Sequence, residues 1–99
     1  MSSTPLYRTQ TVPVATAAKL GGTAETRLMK VVIGGHTANA TCQFKNAATD
    51  TGDVLLTLSA LANESQDFDF TDVGGIVFST ACFVKPAGTA AIVYCWFAQ

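Results

Sequence analysis

The sequence predicts an all-β chain: a single-domain antiparallel β-sandwich with jelly-roll-like connections. Three observations predict it. Roughly seven or eight short runs rich in β-branched and aromatic residues recur along the 99 residues, with turn signals about every 8–12 positions. The glycine pairs Gly21-Gly22, Gly34-Gly35 and Gly74-Gly75 fall between those runs, where turns are needed. No amphipathic helix of useful length interrupts them, so the layers must be sheets. Residues 1–13 form an N-terminal arm or edge strand and residues 14–99 the sandwich domain.

Residues 1–5 are polar, with a proline, and read as a loose arm. Leu6 to Val14 is rich in Thr and suits a strand. Pro13 cannot donate to a ladder, so the strand is either an edge or an arm pairing with a neighbouring subunit. Ala15 to Leu20 reads as one helical turn or a further piece of strand. Glu25 to Ile33 is a strand stopped by Gly34-Gly35. Ala38 to Lys45 alternates cleanly, with Ala40, Cys42 and Phe44 inward and Thr41, Gln43 and Lys45 outward. After a polar loop, Asp53 to Leu61 is a strand with Val54, Leu56 and Leu58 on one face. Gln66 to Phe70 places Asp67 and Asp69 outward and Phe68 and Phe70 inward. Thr71 to Gly75 turns the chain.

The last quarter, Gly74 to Phe97, is expected to form a hairpin. Two apolar runs flank Lys85-Pro86-Ala87-Gly88-Thr89. Pro86 suits the first central position of a type I turn, and Gly88 supplies the positive φ of a G1 bulge. That turn pairs Val84 with Ala90, Cys82 with Ile92, Thr80 with Tyr94 and Phe78 with Trp96. In this register Cys82 and Cys95 lie on opposite faces and cannot bridge. With Cys42 they read as small core hydrophobes.

Only 13% of residues are charged, against 48% apolar, and the net charge is −1. A small domain normally carries about 25% charge, so burial of outer faces by self-association is expected. The six cations are scattered and form no nucleic-acid footprint. No run approaches the ~18 apolar residues of a membrane span. Met1 to Arg8 lacks the features of a signal peptide, so synthesis in a cytoplasm is expected.

No polar constellation points to an enzyme. Asp67, Asp69 and Asp72 lack the glycine and downstream Glu of a calcium loop and read as charges guarding a strand edge. His36 follows a glycine turn and reads as a loop histidine; Cys42 is separated from it by a turn and faces inward. No GxSxG, HExxH, Walker or Rossmann fingerprint occurs. The triplets at Asn39 and Asn63 match the glycosylation pattern by chance. Tyr94, Trp96 and Phe78 suit a core or subunit interface better than a sugar platform. No cofactor and no metal is expected.

From Leu58 to Tyr94 the chain resembles a group of small tailed-bacteriophage virion proteins. The shared features are Ser59-Ala60, Ala62-Asn63-Glu64-Ser65, the acidic and apolar run Gln66 to Phe70, Gly74-Gly75-Ile76-Val77-Phe78-Ser79-Thr80, Gly88-Thr89 and the aromatic run Tyr94 to Phe97. The resemblance implies a capsid decoration (cement) protein, a small β-sandwich. Such a protein would form a homo-oligomer, most readily a trimer, on the major capsid protein lattice of the virion. Under that reading Leu6, Tyr7 and Val12 are the candidates for reach between subunits, and Trp96 and Phe97 for packing. A tail or vertex component and a small carbohydrate-binding module using Tyr94, Trp96 or Tyr7 are the alternatives.

Overall fold

The computed structural model describes residues 7–14 and 16–99. Among them are nine strands: β1 (Arg8–Pro13), β2 (Ala18–Lys19), β3 (Thr26–Gly34), β4 (Ala40–Asn46), β5 (Val54–Ala60), β6 (Gln66–Asp69), β7 (Ile76–Phe78), β8 (Cys82–Ala87) and β9 (Ile92–Ala98). They form two antiparallel sheets. Sheet A has the order β1-β9-β3-β6, and β7 also pairs with β3; sheet B has the order β2-β8-β4-β5. β6 lies against Lys30 to Ile33 and β7 against Thr26 to Leu28, so the two are one edge strand interrupted by a 3-10 turn at Thr71–Val73. Counted that way there are eight strands. Apart from the β4–β5 hairpin, each connection then carries the chain from one sheet to the other, which is jelly-roll connectivity.

The fold class is therefore as the sequence predicts, but the terminal hairpin is not. β8 pairs with β2 and β4 in sheet B, while β9 pairs with β1 and β3 in sheet A. The reason is parity. On β8 the buried side chains are Cys82, Val84 and Pro86; on β9 they are Val93, Cys95 and Phe97. The expected hairpin pairs even positions with even, so it cannot turn an even set and an odd set into the same core. Crossing between sheets can. Residues 88–91 make the crossing, and four extended residues reach about 13 Å, enough for the ~10 Å between packed sheets. Cys82 and Cys95 consequently both face the interior, correcting the opposite-face expectation, and all three cysteines are buried free thiols.

β1 is an edge strand of its own chain. Arg8 pairs with Phe97 and Val12 with Val93. Of the two readings of Ala15 to Leu20, the strand is found, at Ala18–Lys19 alone. β3 carries a bulge at Met29, between the pairs Leu28↔Phe97 and Lys30↔Trp96. It inverts the alternation, so that Thr26 and Leu28 point inward before it and Val31 and Ile33 after it. The freed Met29 carbonyl accepts a hydrogen bond from the Phe70 amide at 2.8 Å, where β6 gives way to the 3-10 turn.

The core lies between the sheets. Leu28, Val31, Ile33, Val93 and Phe97 of sheet A meet Cys42, Phe44, Leu58 and Val84 of sheet B, with Phe78 and Leu20 closing the ends. Ala40, Cys42 and Phe44 are inward as predicted. Lys45, expected outside, is nonetheless buried, because the 46–53 loop folds over it.

Candidate functional site

The side chains singled out from sequence do not converge on one site. Leu6 lies outside the described residues. Tyr7 is exposed just before β1. Val12 is 0% exposed and Phe97 1% exposed; both fill this chain's own core, Phe97 with the Arg8 guanidinium 5.6 Å from its ring centroid. Neither therefore presents a surface to another subunit. Trp96 has the opposite parity and lies on the outer face of sheet A, with the Lys30 ammonium 5.3 Å from its ring.

That outer face carries aromatic, hydroxyl and charged side chains together. Its centre is the β9 row Tyr94 and Trp96. Thr9 and Thr11 of β1 lie opposite them on one side, and Lys30 and Val32 of β3 on the other. Beyond β3 lie Asp69, paired with Lys30, and Asp67, paired with Val32. The Asp69 carboxylate is engaged within its own turn. It accepts hydrogen bonds from the Thr71 hydroxyl at 2.6 Å and the Thr71 amide at 2.9 Å, which hold its carboxyl below the usual carboxylate range. Among the described residues no group of three or more His, Cys, Asp or Glu side chains is arranged to hold a metal ion.

The outer face of sheet B carries a different cluster. Asp50 accepts a hydrogen bond from Lys45 Nζ on one carboxylate oxygen and from Lys85 Nζ, at 2.9 Å, on the other. Lys45 Nζ also donates to the Asp50 carbonyl at 2.8 Å. These bonds tie the 46–53 loop across β4 and β8. They hold the Asp50 carboxyl below its ordinary range, the Lys45 bond contributing most. A carboxyl lowered in the folded state stabilises the fold above its unfolded value, near pH ~3.9, and that stabilisation is lost as pH falls through the folded value. Asp50→Asn is therefore expected to melt below the wild type at pH 7, with the gap closing in acid. Thermal melts from pH 7 to pH 2 check this; a gap independent of pH would contradict the ion pair.

His36 is buried in the loop between β3 and β4. Its Nε2 donates to the Leu61 carbonyl at 2.6 Å, and Nδ1 is buried with no hydrogen-bond partner among the described residues. The Asn63 amide donates back to the His36 carbonyl at 3.2 Å, and the Asn39 side chain accepts from the Ala62 amide at 3.0 Å. The histidine thus splices two loops at one end of the sandwich. Burial pushes the thiols up: Cys95 to about 12, and Cys42 and Cys82 beyond that, with Cys95 also raising both. At neutral pH they are protonated, which suits packing and not nucleophilic or metal chemistry.

Sequence reasoning did not single out Asp50 or Gln99. The Gln99 side chain donates at 2.9 Å to the Leu20 and Gly22 carbonyls and to the Thr26 hydroxyl, and accepts from Arg8 at 3.0 Å. No local pattern announces the Gln99 contacts, because each partner is distant along the chain. No helix among the described residues is long and apolar enough to cross a membrane. No protein-family model matches this chain, and no curated protein matches it in sequence.

Proposed function

We propose that this chain is a tailed-bacteriophage virion structural protein, a capsid decoration protein that acts by binding and not by catalysis. In this reading it is made in the host cytoplasm, forms a homo-oligomer, most simply a trimer, and reinforces the head lattice of the major capsid protein. The observation that carries the reading is the distribution of apolar surface. Leu55, Leu61, Val73, Val77 and Tyr94 are exposed on a sandwich whose core is already complete, in a chain with few charges to keep copies apart. Apolar side chains outside a finished core favour contact with other chains. Such contacts can each be modest, because a lattice repeats them and multivalency adds them.

The test is addition of the purified chain to undecorated capsids of the parent phage. The expected result is saturable binding in fixed proportion to the major capsid protein and a higher capsid melting temperature. Absence from heads, with recovery in tails or vertices, would replace the decoration role by the tail or vertex reading. A second reading rests on Tyr94 and Trp96 sharing one outer face beside Thr9 and Thr11. Aromatic faces with adjacent hydroxyls suit a sugar, and quenching of Trp96 fluorescence by oligosaccharides tests it.

A further inference from the structure

The two sheets have four edges, and three are blocked against further pairing. β1 has Pro13, which lacks a donor, and Arg8. The β6/β7 edge carries exposed Asp67 and Asp69 and is broken by the 3-10 turn. β2 is two residues long. The fourth edge, β5, has none of these devices. Its sequence Val54-Leu55-Leu56-Thr57-Leu58-Ser59-Ala60 holds no charge, proline or glycine. β4 covers one side, and among the described residues no strand covers the other. A bulge at Leu55 sits at its start and leaves Leu56 to Ala60 regular. Next to it, Leu55 is 50% and Leu61 63% exposed.

We propose that β5 pairs antiparallel with β5 of a second copy of this chain, about a two-fold axis at Leu58. The occupant follows from the strand's self-complementarity. In that register Leu58 meets Leu58 of the second copy, and Leu56 meets Ala60, on the buried side. On the outer side Thr57 lies opposite Ser59, a pair able to share a hydrogen bond, and exposed Leu55 lies beside exposed Leu61. Every pair except Leu58 with Leu58, which lies on the axis, occurs twice, and no like charges oppose. A register one residue off would set the inward leucine row of one copy against the outward Thr57 and Ser59 row of the other, with the two cores on opposite faces. The sheets of the two copies then join into one eight-stranded sheet, which satisfies the free backbone donors and acceptors of both edges. A two-fold contact of this kind is isologous. It is distinct from a three-fold contact and would link neighbouring trimers.

The proposal needs only the isolated full-length chain, so it stands or falls apart from the phage assignment. Thr57→Cys and Ser59→Cys chains, one carrying a mass tag, are mixed and oxidised mildly. The three native thiols are buried. Directly opposed residues have Cα atoms about 4.5–5.5 Å apart, within disulfide reach, whereas Thr57 and Thr57 of the two copies are offset diagonally. The expected product is the tagged–untagged heterodimer, at least tenfold over the dimers formed by either variant alone. The double variant T57K/S59K opposes lysine to lysine at both positions and is expected to halve the native mass seen by light scattering. A monomeric or strictly trimeric wild type, cross-linking no better than the single variants, or an unchanged mass for folded T57K/S59K would each overturn the proposal. Should T57K/S59K not fold, the cross-linking result decides alone.

Discussion

Phe97→Ala is expected to lower folding stability by about 3–5 kcal/mol, the cost of removing a fully buried ring and leaving a cavity. Phe97 pairs with Leu28 on one side and Arg8 on the other, and its ring lies in the core between the sheets. Small domains have about 5–15 kcal/mol of stability in all, so the variant would sit near its unfolding threshold at room temperature. Denaturant titration followed by far-ultraviolet circular dichroism measures the effect. The midpoint should fall with the slope unchanged, since the surface exposed on unfolding is nearly the same. The measurement also separates two roles for this residue. A packing residue at a subunit interface would leave the dilute chain's midpoint unaltered and weaken assembly alone.

Gly88→Ala is expected to cost a comparable amount by a different route. Gly88 has φ +127°, a conformation that L side chains rarely adopt, and an added Cβ would lie 2.9 Å from both the Cα and the Cβ of Ala40. Backbone strain of this kind costs about 1–3 kcal/mol, and overpacking against atoms that cannot swing away adds about 1–3 more, for a total near 4 kcal/mol. The obstacle is β4 itself, held by β5 and β8 on its two sides, so relief would require a shift of sheet B. Gly22→Ala is the control. Nothing lies within 4 Å of its added Cβ, and the change should stay within about 0.5 kcal/mol. Equal losses at the two positions would mean that flexibility, and not the close approach at the crossing, sets the requirement for Gly88.

Much of the fold is legible in the sequence where a strand alternates undisturbed. Ala40, Cys42 and Phe44 face inward as read, and Asp67 and Asp69 face outward. Legibility fails where a bulge or a distant partner intervenes. Met29 inverts the inward set of β3 midway, so no single alternation describes that strand. Lys45 obeys its parity and is still buried, because Asp50 brings a loop over it. The pairing of β8 and β9 escapes a local reading because the turn chemistry of Pro86 and Gly88 is local, whereas the choice of sheet depends on which face of each strand is the more apolar. The opposed parities of Val84 and Val93 were in plain view, and a jelly roll already requires its last two strands to part. The candidate surface was the least legible. Val12 and Phe97 look like any exposed apolar residue until the sheets are assembled, and the open edge at β5 is a property of strand order.

The place of β9 has a consequence for how this chain comes to be folded. β9 is the middle of sheet A, flanked by β1 and β3, yet it is synthesised after every other strand. Until it emerges, β1 has no partner in its sheet and the inner flank of β3 is bare. The ladder between Arg8 and Phe97 closes the chain between them, with every other strand inside it, into one loop. Chains dominated by such remote contacts reach their native state in about milliseconds to seconds, not microseconds. Folding of the sandwich must therefore wait until β9 has emerged, and a nascent chain halted within β9 would display apolar strands with no centre to gather on, a natural substrate for chaperones.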